Sequence, residues 1–222
     1  YPQGWLARAA ENEGSQQAAW RTDPKKSGIS GCMGDIGTHA ANLAEYVSGL
    51  TIKELAADLT AFVKGRRLDD DGNCLLRFNN GARGVLIASQ VSIGELNGLR
   101  IRVHGRAGTC VWHAEDPNEH DCYAADGCVK TCRRGTDAME KISPAAAAAS
   151  RLPFGHPEAF FEAFATTYKN AAATIRALKE GRKPTAIDLD FPTVDDGVRG
   201  MQFIQTVLAS SKSTKKWTQF KS

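Results

Sequence analysis

The sequence predicts an α+β fold, with a large, predominantly antiparallel open β-sheet and helices on one face. Three observations carry this. Short alternating apolar segments cluster between positions 55 and 133 and are joined by tight turns, the pattern of antiparallel neighbours. Helical periodicities bracket that cluster, near 34–48, 157–180 and 194–210. The 222 residues, 42% hydrophobic and 24% charged, suffice to bury a core as a single α+β domain over 1–222, and the balance is ordinary for a globular chain.

Residues 1–30 read as an extended opening with loops, in which Trp20-Arg21-Thr22-Asp23-Pro24 turns toward a run of glycines. Gly28, Gly31, Gly34 and Gly37 fall at every third position. Glycine lets a backbone take φ > 0 and lets a ligand come close. A helix follows: Ile36, Ala40, Leu43 and Val47 mark its apolar face, and Gly49 fits a C-cap. Beside them runs a polar stripe of Asp35, His39, Asn42 and Tyr46, its first two members four apart on one face.

The strands come next. Leu55, Ala57, Leu59, Ala61 and Val63 alternate with more polar neighbours. Segments 74–78 and 82–90 flank Asn79-Asn80-Gly81, a hairpin signal. Leu99, Ile101 and Val103 alternate with Arg100, Arg102 and His104, and Gly105-Arg106-Ala107-Gly108 turns into 109–113. Two edge strands are expected around Ala124-Ala125-Asp126-Gly127. Residues 137–154 read as an alanine-rich loop, with one helical turn at 145–149. A long helix then runs from 157 to about 180 with Phe160, Phe164, Tyr168, Ala171, Ile175 and Leu178 on its apolar face. A last helix starts at Thr193, its buried stripe being Val194, Val198, Met201, Ile204 (or Gln205) and Leu208, and a strand around 217–220 closes the sheet.

Two metal readings can be weighed from spacing. Asp69-Asp70-Asp71-Gly72-Asn73 puts glycine fourth and asparagine twelfth from Asp69, whereas a calcium loop needs glycine sixth and an acid twelfth. The segment reads as a solvated turn. Cys110, Cys122, Cys128, Cys132, His113 and His120 share one ribbon, but no Cys-x-x-Cys pair occurs, so no metal site is expected.

Charge and composition exclude some classes. A net charge of +3 is too small to argue for a nucleic-acid or membrane partner. No apolar run is long enough to span a bilayer, and the opening Tyr1-Pro2-Gln3-Gly4-Trp5 lacks a signal-peptide pattern. Six cysteines in a chain of this size do not resemble a small secreted scaffold, so a reduced, cytoplasmic setting is the default. The absence of an initiator methionine suggests a chain whose N-terminal part is missing.

The Asp35–His39 pair is the sharpest chemical feature. Histidine titrates near neutrality, and a nearby carboxylate suits a general base that takes a proton from a hydroxyl. The alternative is a helix cap with a partly buried neighbour. Arg21, beside an aromatic, could stack or hold an anion, or be an ordinary surface pair.

The stretch from Gly28 to His39 resembles the glycine-rich Asp-x-Gly-x-His signature of the glucose–fructose oxidoreductase/inositol dehydrogenase (Gfo/Idh/MocA) family, seen here as Asp35-Ile36-Gly37-Thr38-His39. Ala19-Trp20-Arg21, Gly155-His156-Pro157 and Phe191-Pro192-Thr193-Val194-Asp195-Asp196-Gly197 extend the resemblance in order. It implies the C-terminal, substrate-binding and oligomerisation domain of a two-domain dehydrogenase, with the dinucleotide-binding Rossmann domain missing; no Gly-x-Gly-x-x-Gly follows a strand here. By the resemblance His39 is the general base for oxidising a secondary alcohol of a sugar, inositol or related polyol. Asp35 orients the substrate and couples to a lysine of the missing domain. Trp20, Arg21, Asn42 and His156 are lesser candidates for the substrate pocket. The resemblance also implies NAD or NADP, bound mainly by the missing domain, and a homo-oligomer formed through the sheet face. The competing readings are a non-catalytic binding or oligomerisation module and a zinc protein using the Cys/His ribbon.

Overall fold

Two antiparallel four-stranded sheets and seven α-helices are found among residues 1–220, the span described in the computed structural model. The described residues divide into two compact units, 1–99 with the described residues from 195 onward, and 100–194. The α+β class with antiparallel strands is thus observed, the strands being shared between two sheets.

In the first unit the sheet order is β3-β2-β1-β8, from β1 (Ile52–Thr60), β2 (Asp71–Phe78), β3 (Arg83–Ser89) and β8 (Thr218–Gln219). The β2–β3 hairpin forms where Asn79-Asn80-Gly81 placed it, with Gly81 at φ 90°. Leu55 is fully buried, and Ala57 and Leu59 lean on the core with it, as the alternation required. A π-helical turn (Met33–Gly37) and α3 (Thr38–Ser48) supply Met33, Ile36 and Ala41 to the same core, and α7 (Val194–Ser211) supplies Phe203 and Val207. Gly49 ends α3 at φ 67°. Because β8 pairs with β1 only at Glu54 and Leu55, part of the outer edge of β1 needs other acceptors. Ser210 and Ser211 of α7 provide them for the amides of Ala57 and Leu59, at 3.0 and 3.3 Å.

The second unit is a meander, β4-β5-β6-β7, made of β4 (Arg100–Gly105), β5 (Gly108–His113), β6 (Glu119–Ala124) and β7 (Val129–Arg133). The short helices α4 (Asp137–Ile142) and α5 (Pro144–Ala149) and the long α6 (Phe160–Lys179) follow. Glu158 is buried and accepts from Arg134 at 3.0 Å and from the amides of Arg151 and Leu152.

Four expectations need correction. The opening is not simply extended: a 3₁₀ turn (Ala10–Asn12), α1 (Gln16–Arg21) and α2 (Pro24–Ser27) form there. Their signals are local, Ser15 capping α1 and Asp23 capping α2 with proline at its first position. The 137–154 loop contains α4 as well as the alanine turn, now α5. In α7 the buried positions are Phe203, Thr206, Val207 and Ser210, while Val194, Val198 and Met201 are exposed. The buried face thus lies one residue out of phase with the expected stripe, because the sheet selects the face that also delivers the two serines. In α6 the aromatic face is exposed and Asn170 and Ala177 are buried; Asn170 Nδ2 donates to the Asp190 carbonyl at 3.0 Å, which fixes that side of the helix inward.

Candidate functional site

The glycine stretch folds around an internal anion. Asp69 Oδ1 accepts from Ser30 Oγ and the Gly31 amide, both at 2.9 Å, and its Oδ2 accepts from the Met33 amide at 2.8 Å. The Cys32 amide donates to the Asp69 carbonyl at 2.8 Å. A β-carbon on Gly31 would meet that carbonyl oxygen at 2.3 Å, so the close approach requires glycine. The expected ligand of the glycines is the protein's own aspartate, which does the work of an N-cap on the free amides of the first turn.

The same observation corrects the reading of the acidic segment as a solvated turn. Asp70 is 1% exposed. It accepts from the amides of Phe62 and Val63 at 2.8 and 3.0 Å and pairs with Arg66 at 3.1 Å. Arg66 also holds Glu11 at 3.0 Å. These acids are spoken for by backbone donors and arginine, and the two amides they satisfy end the expected strand at Thr60 rather than Val63.

Beyond the glycines comes the π-helical turn, in which the Thr38 amide donates to Met33 O, five residues back. Such turns disturb helical packing and recur at functional sites. This one presents Asp35 and Ile36, and the first turn of α3 presents His39, to a cavity of about 380 Å³. Tyr1, Gln3, Trp5, Gln17 and Arg21 complete its walls. Asp35 Oδ2 accepts from Arg21 Nε at 3.0 Å and from Gln90 Nε2 at 2.8 Å. His39 is exposed and stands edge-on to Tyr1, ring centroids 6.3 Å apart. The carboxylate is thus oriented by Arg21 and Gln90, with no hydrogen bond to His39 among the described residues.

Arg21 is itself positioned by stacking. Its guanidinium carbon lies 4.2 Å from the Trp20 ring centroid and 5.7 Å from that of Trp5, and it donates to Gln17. Cation–π contact and a carboxylate on one planar fork leave the arginine little freedom. Tyr1 has its phenol pushed above the ordinary range, chiefly by burial; hydrogen bonding to Asn97 opposes this and the negative charge of Asp35 adds to it. The Cys32 thiol is pushed up by burial and by the neighbouring acids, Asp69 foremost, so it is an inert core group.

The sequence-based candidates divide as follows. Asp35, His39 and Arg21 share the cavity, and Trp20 supports Arg21 from α1. Asn42 instead lines a second cavity of about 410 Å³, with Glu45, Tyr46 and Arg199. A step of three residues along a helix turns about 60° from His39, whereas the step of four from Asp35 to His39 turns about 40°. His156 is exposed in the second unit, where its carbonyl accepts from Arg134. Sequence reasoning missed Gln3, Trp5, Gln17 and Gln90. An aromatic beside the opening strand was visible, but nothing local marks Gln90, which arrives from the end of β3.

Residues 3–111 match the family model of the GFO/IDH/MocA C-terminal domain. Along all of its length the chain is 30% identical to "Uncharacterized oxidoreductase YfiI" of Bacillus subtilis (strain 168), covering 56% of that protein. An oxidoreductase structure from Sinorhizobium meliloti superposes with a TM-score of 0.80 at 40% identity, over 97% of this chain and 54% of that one. An inositol dehydrogenase homolog from Azotobacter vinelandii, complexed with NADH and myo-inositol, gives 0.84 at 28% identity, over 99% and 55%. The chain therefore spans little more than half the length of these relatives.

Proposed function

The chain belongs, through residues 3–111, to the GFO/IDH/MocA C-terminal domain family, and on that premise we propose that it is the substrate-facing domain of an NAD(P)-dependent oxidoreductase. The substrate class is a polyol or sugar oxidised at a secondary alcohol. The observation that carries this reading is the one cavity shared by Asp35, Arg21 and the exposed His39. A vicinal diol or ring polyol needs acceptors and donors side by side, which a carboxylate clamped by Arg21 and Gln90 and an open imidazole provide.

In this reading His39 accepts the hydroxyl proton at an imidazole nitrogen as the alcohol is oxidised. Asp35 accepts a hydrogen bond from a neighbouring hydroxyl and is kept in place by Arg21 and Gln90. Trp5 and Trp20 hold the arginine and narrow the approach of water. NAD(P) supplies the hydride acceptor when bound. The glycine stretch does not fit its pyrophosphate, because the amides of Gly31, Cys32 and Met33 already donate to Asp69. We assign the dinucleotide to a domain outside this chain, and the whole protein to the cytoplasm. Leu75, Val85 and Ile87 lie on one face of the first sheet, 48%, 67% and 50% exposed. An apolar face of that kind supports assembly with a second copy.

The experiment is turnover and melting temperature measured on the same preparations of the whole protein and of its His39→Ala variant. A positioned general base contributes about 10²–10⁴-fold, so turnover should fall by that factor with little change in melting temperature. A folded variant with nearly unchanged turnover would remove His39 from the mechanism.

A further inference from the structure

The register of the second sheet gathers four soft ligands that are dispersed in the sequence. Cys110 on β5 lies directly opposite Cys122 on β6, and His120 on β6 directly opposite Cys132 on β7. His120 and Cys122 are two residues apart on one strand, so all four side chains project from the same face. The ligand atoms of His120, Cys122 and Cys132 all lie within 4.8 Å of one another. Cys110 Sγ lies 3.4 Å from Cys122 Sγ. Cys132 is buried, and His120 and Cys122 are half-buried.

We propose that His120, Cys122, Cys132 and Cys110 form a structural site for a thiophilic divalent metal, Zn²⁺ by preference. Bond lengths of about 2.3 Å to sulfur and 2.0 Å to nitrogen put the ligand atoms of a tetrahedral site with one nitrogen about 3.5–3.8 Å apart. The ligand atoms of His120, Cys122 and Cys132 reach that separation by closing at most about 1 Å, and Cys110, whose Sγ lies 3.4 Å from Cys122 Sγ, swings in from the neighbouring strand by a χ1 adjustment to complete the set. Three thiolates and one imidazole favour zinc over the hard cations. Three protein thiols lose their protons to solvent on binding, and no electron moves. A disulfide between Cys110 and Cys122 would leave His120 and Cys132 without a role, whereas one ion uses all four.

The need for a staple is visible in the same unit. Among the described buried apolar residues only Cys132 and Ala177 belong to positions 100–194. A meander with so little apolar burial gains from a metal that ties three of its four strands together.

The whole chain, purified under reducing conditions without chelator, should hold about one zinc per chain by elemental analysis. Stripped protein should bind added Co²⁺ with thiolate-to-metal charge-transfer absorption. Cys122→Ser and His120→Ala should each weaken Zn²⁺ binding at least about 100-fold, beyond what loss of an outer-shell partner gives. Cys128→Ser, an exposed thiol on the same ribbon, should bind as the parent does. Circular dichroism with metal removed establishes whether each variant is folded, and the two single-ligand variants fail independently. Equal zinc in the parent and in folded Cys122→Ser would overturn the proposal. So would a parent that binds neither ion, or a Cys110–Cys122 disulfide in protein purified without oxidant.

Discussion

Removing the Asp69 carboxylate should loosen the turn that presents the candidate site without touching the cavity. Asp69→Ala deletes three hydrogen bonds of 2.8–2.9 Å, to Ser30 Oγ and the amides of Gly31 and Met33. The backbone bond from Cys32 to the Asp69 carbonyl survives. Losing a helix cap costs about 0.5–2 kcal/mol, and each bond to a charged acceptor contributes about 1.5–3 kcal/mol. The three bonds share one carboxylate, and the freed groups recover some hydration, so the total falls well below the sum, at about 3 kcal/mol. For a chain of this size that is a fall of about 6–12 °C in melting temperature. Asp69→Asn keeps one acceptor and turns a donor toward another N–H, so it should lose an intermediate amount. The assay is thermal unfolding together with amide exchange over residues 28–38. Exchange there should accelerate more than in β2 and β3. A melting temperature within about 1 °C of the parent and unchanged exchange over 28–38 would show that the glycine stretch stands without its aspartate.

Three other outcomes are expected. Asp70→Ala, which orphans the Phe62 and Val63 amides and one contact of the buried Arg66, should cost about 3–5 kcal/mol in urea unfolding; less than about 1 kcal/mol would mean that the site rehydrates. Burial tends to raise the Glu11 carboxyl, but the hydrogen bond from Arg66, a backbone amide and the Arg66 charge hold it below the usual range. Its contribution is therefore fully present above the ordinary carboxylate pKa and lost as pH falls through the lowered value. Acid unfolding between about pH 5 and 3 should then cost the parent more stability than Glu11→Gln, and parallel acid limbs would refute this. The Cys74 thiol is pushed up to about 12 by burial and by the charge of Asp69. Alkylation near neutral pH followed by peptide mass analysis should therefore leave Cys74 unmodified while the exposed Cys128 reacts; rapid labelling of Cys74 in folded protein would contradict its burial.

Much of the local structure can be read from neighbours in the chain. Gly49 stops α3, Asn79-Asn80-Gly81 closes the β2–β3 hairpin, and Leu55, Ala57 and Leu59 share the core face because such signals act within a few residues. The pairing of Asp35 and His39 on one face of a helix is legible for the same reason. What surrounds that pair is not. Arg21 comes from 14 residues before Asp35 and Gln90 from 55 after it, and no local pattern records which donors will meet a carboxylate in space.

The glycines and the acidic segment show the division most sharply. The sequence alone determined that the backbone at Gly28 and Gly31 is special, since only glycine tolerates a left-handed turn and a carbonyl at contact distance. It could not name the occupant, because Asp69 lies 38 residues from Gly31 and looks solvated beside two other acids. The helix faces divide likewise: periodicity identifies α6 and α7, while the side that turns inward is set by what each packs against. The cysteines carry the same lesson. Spacing along the chain shows no ligand pair, and only the antiparallel register of β5, β6 and β7 puts three sulfurs and an imidazole on one patch. Local geometry is set by short-range sterics and hydrogen bonding, whereas contacts across strands depend on a register that the whole sheet must agree on.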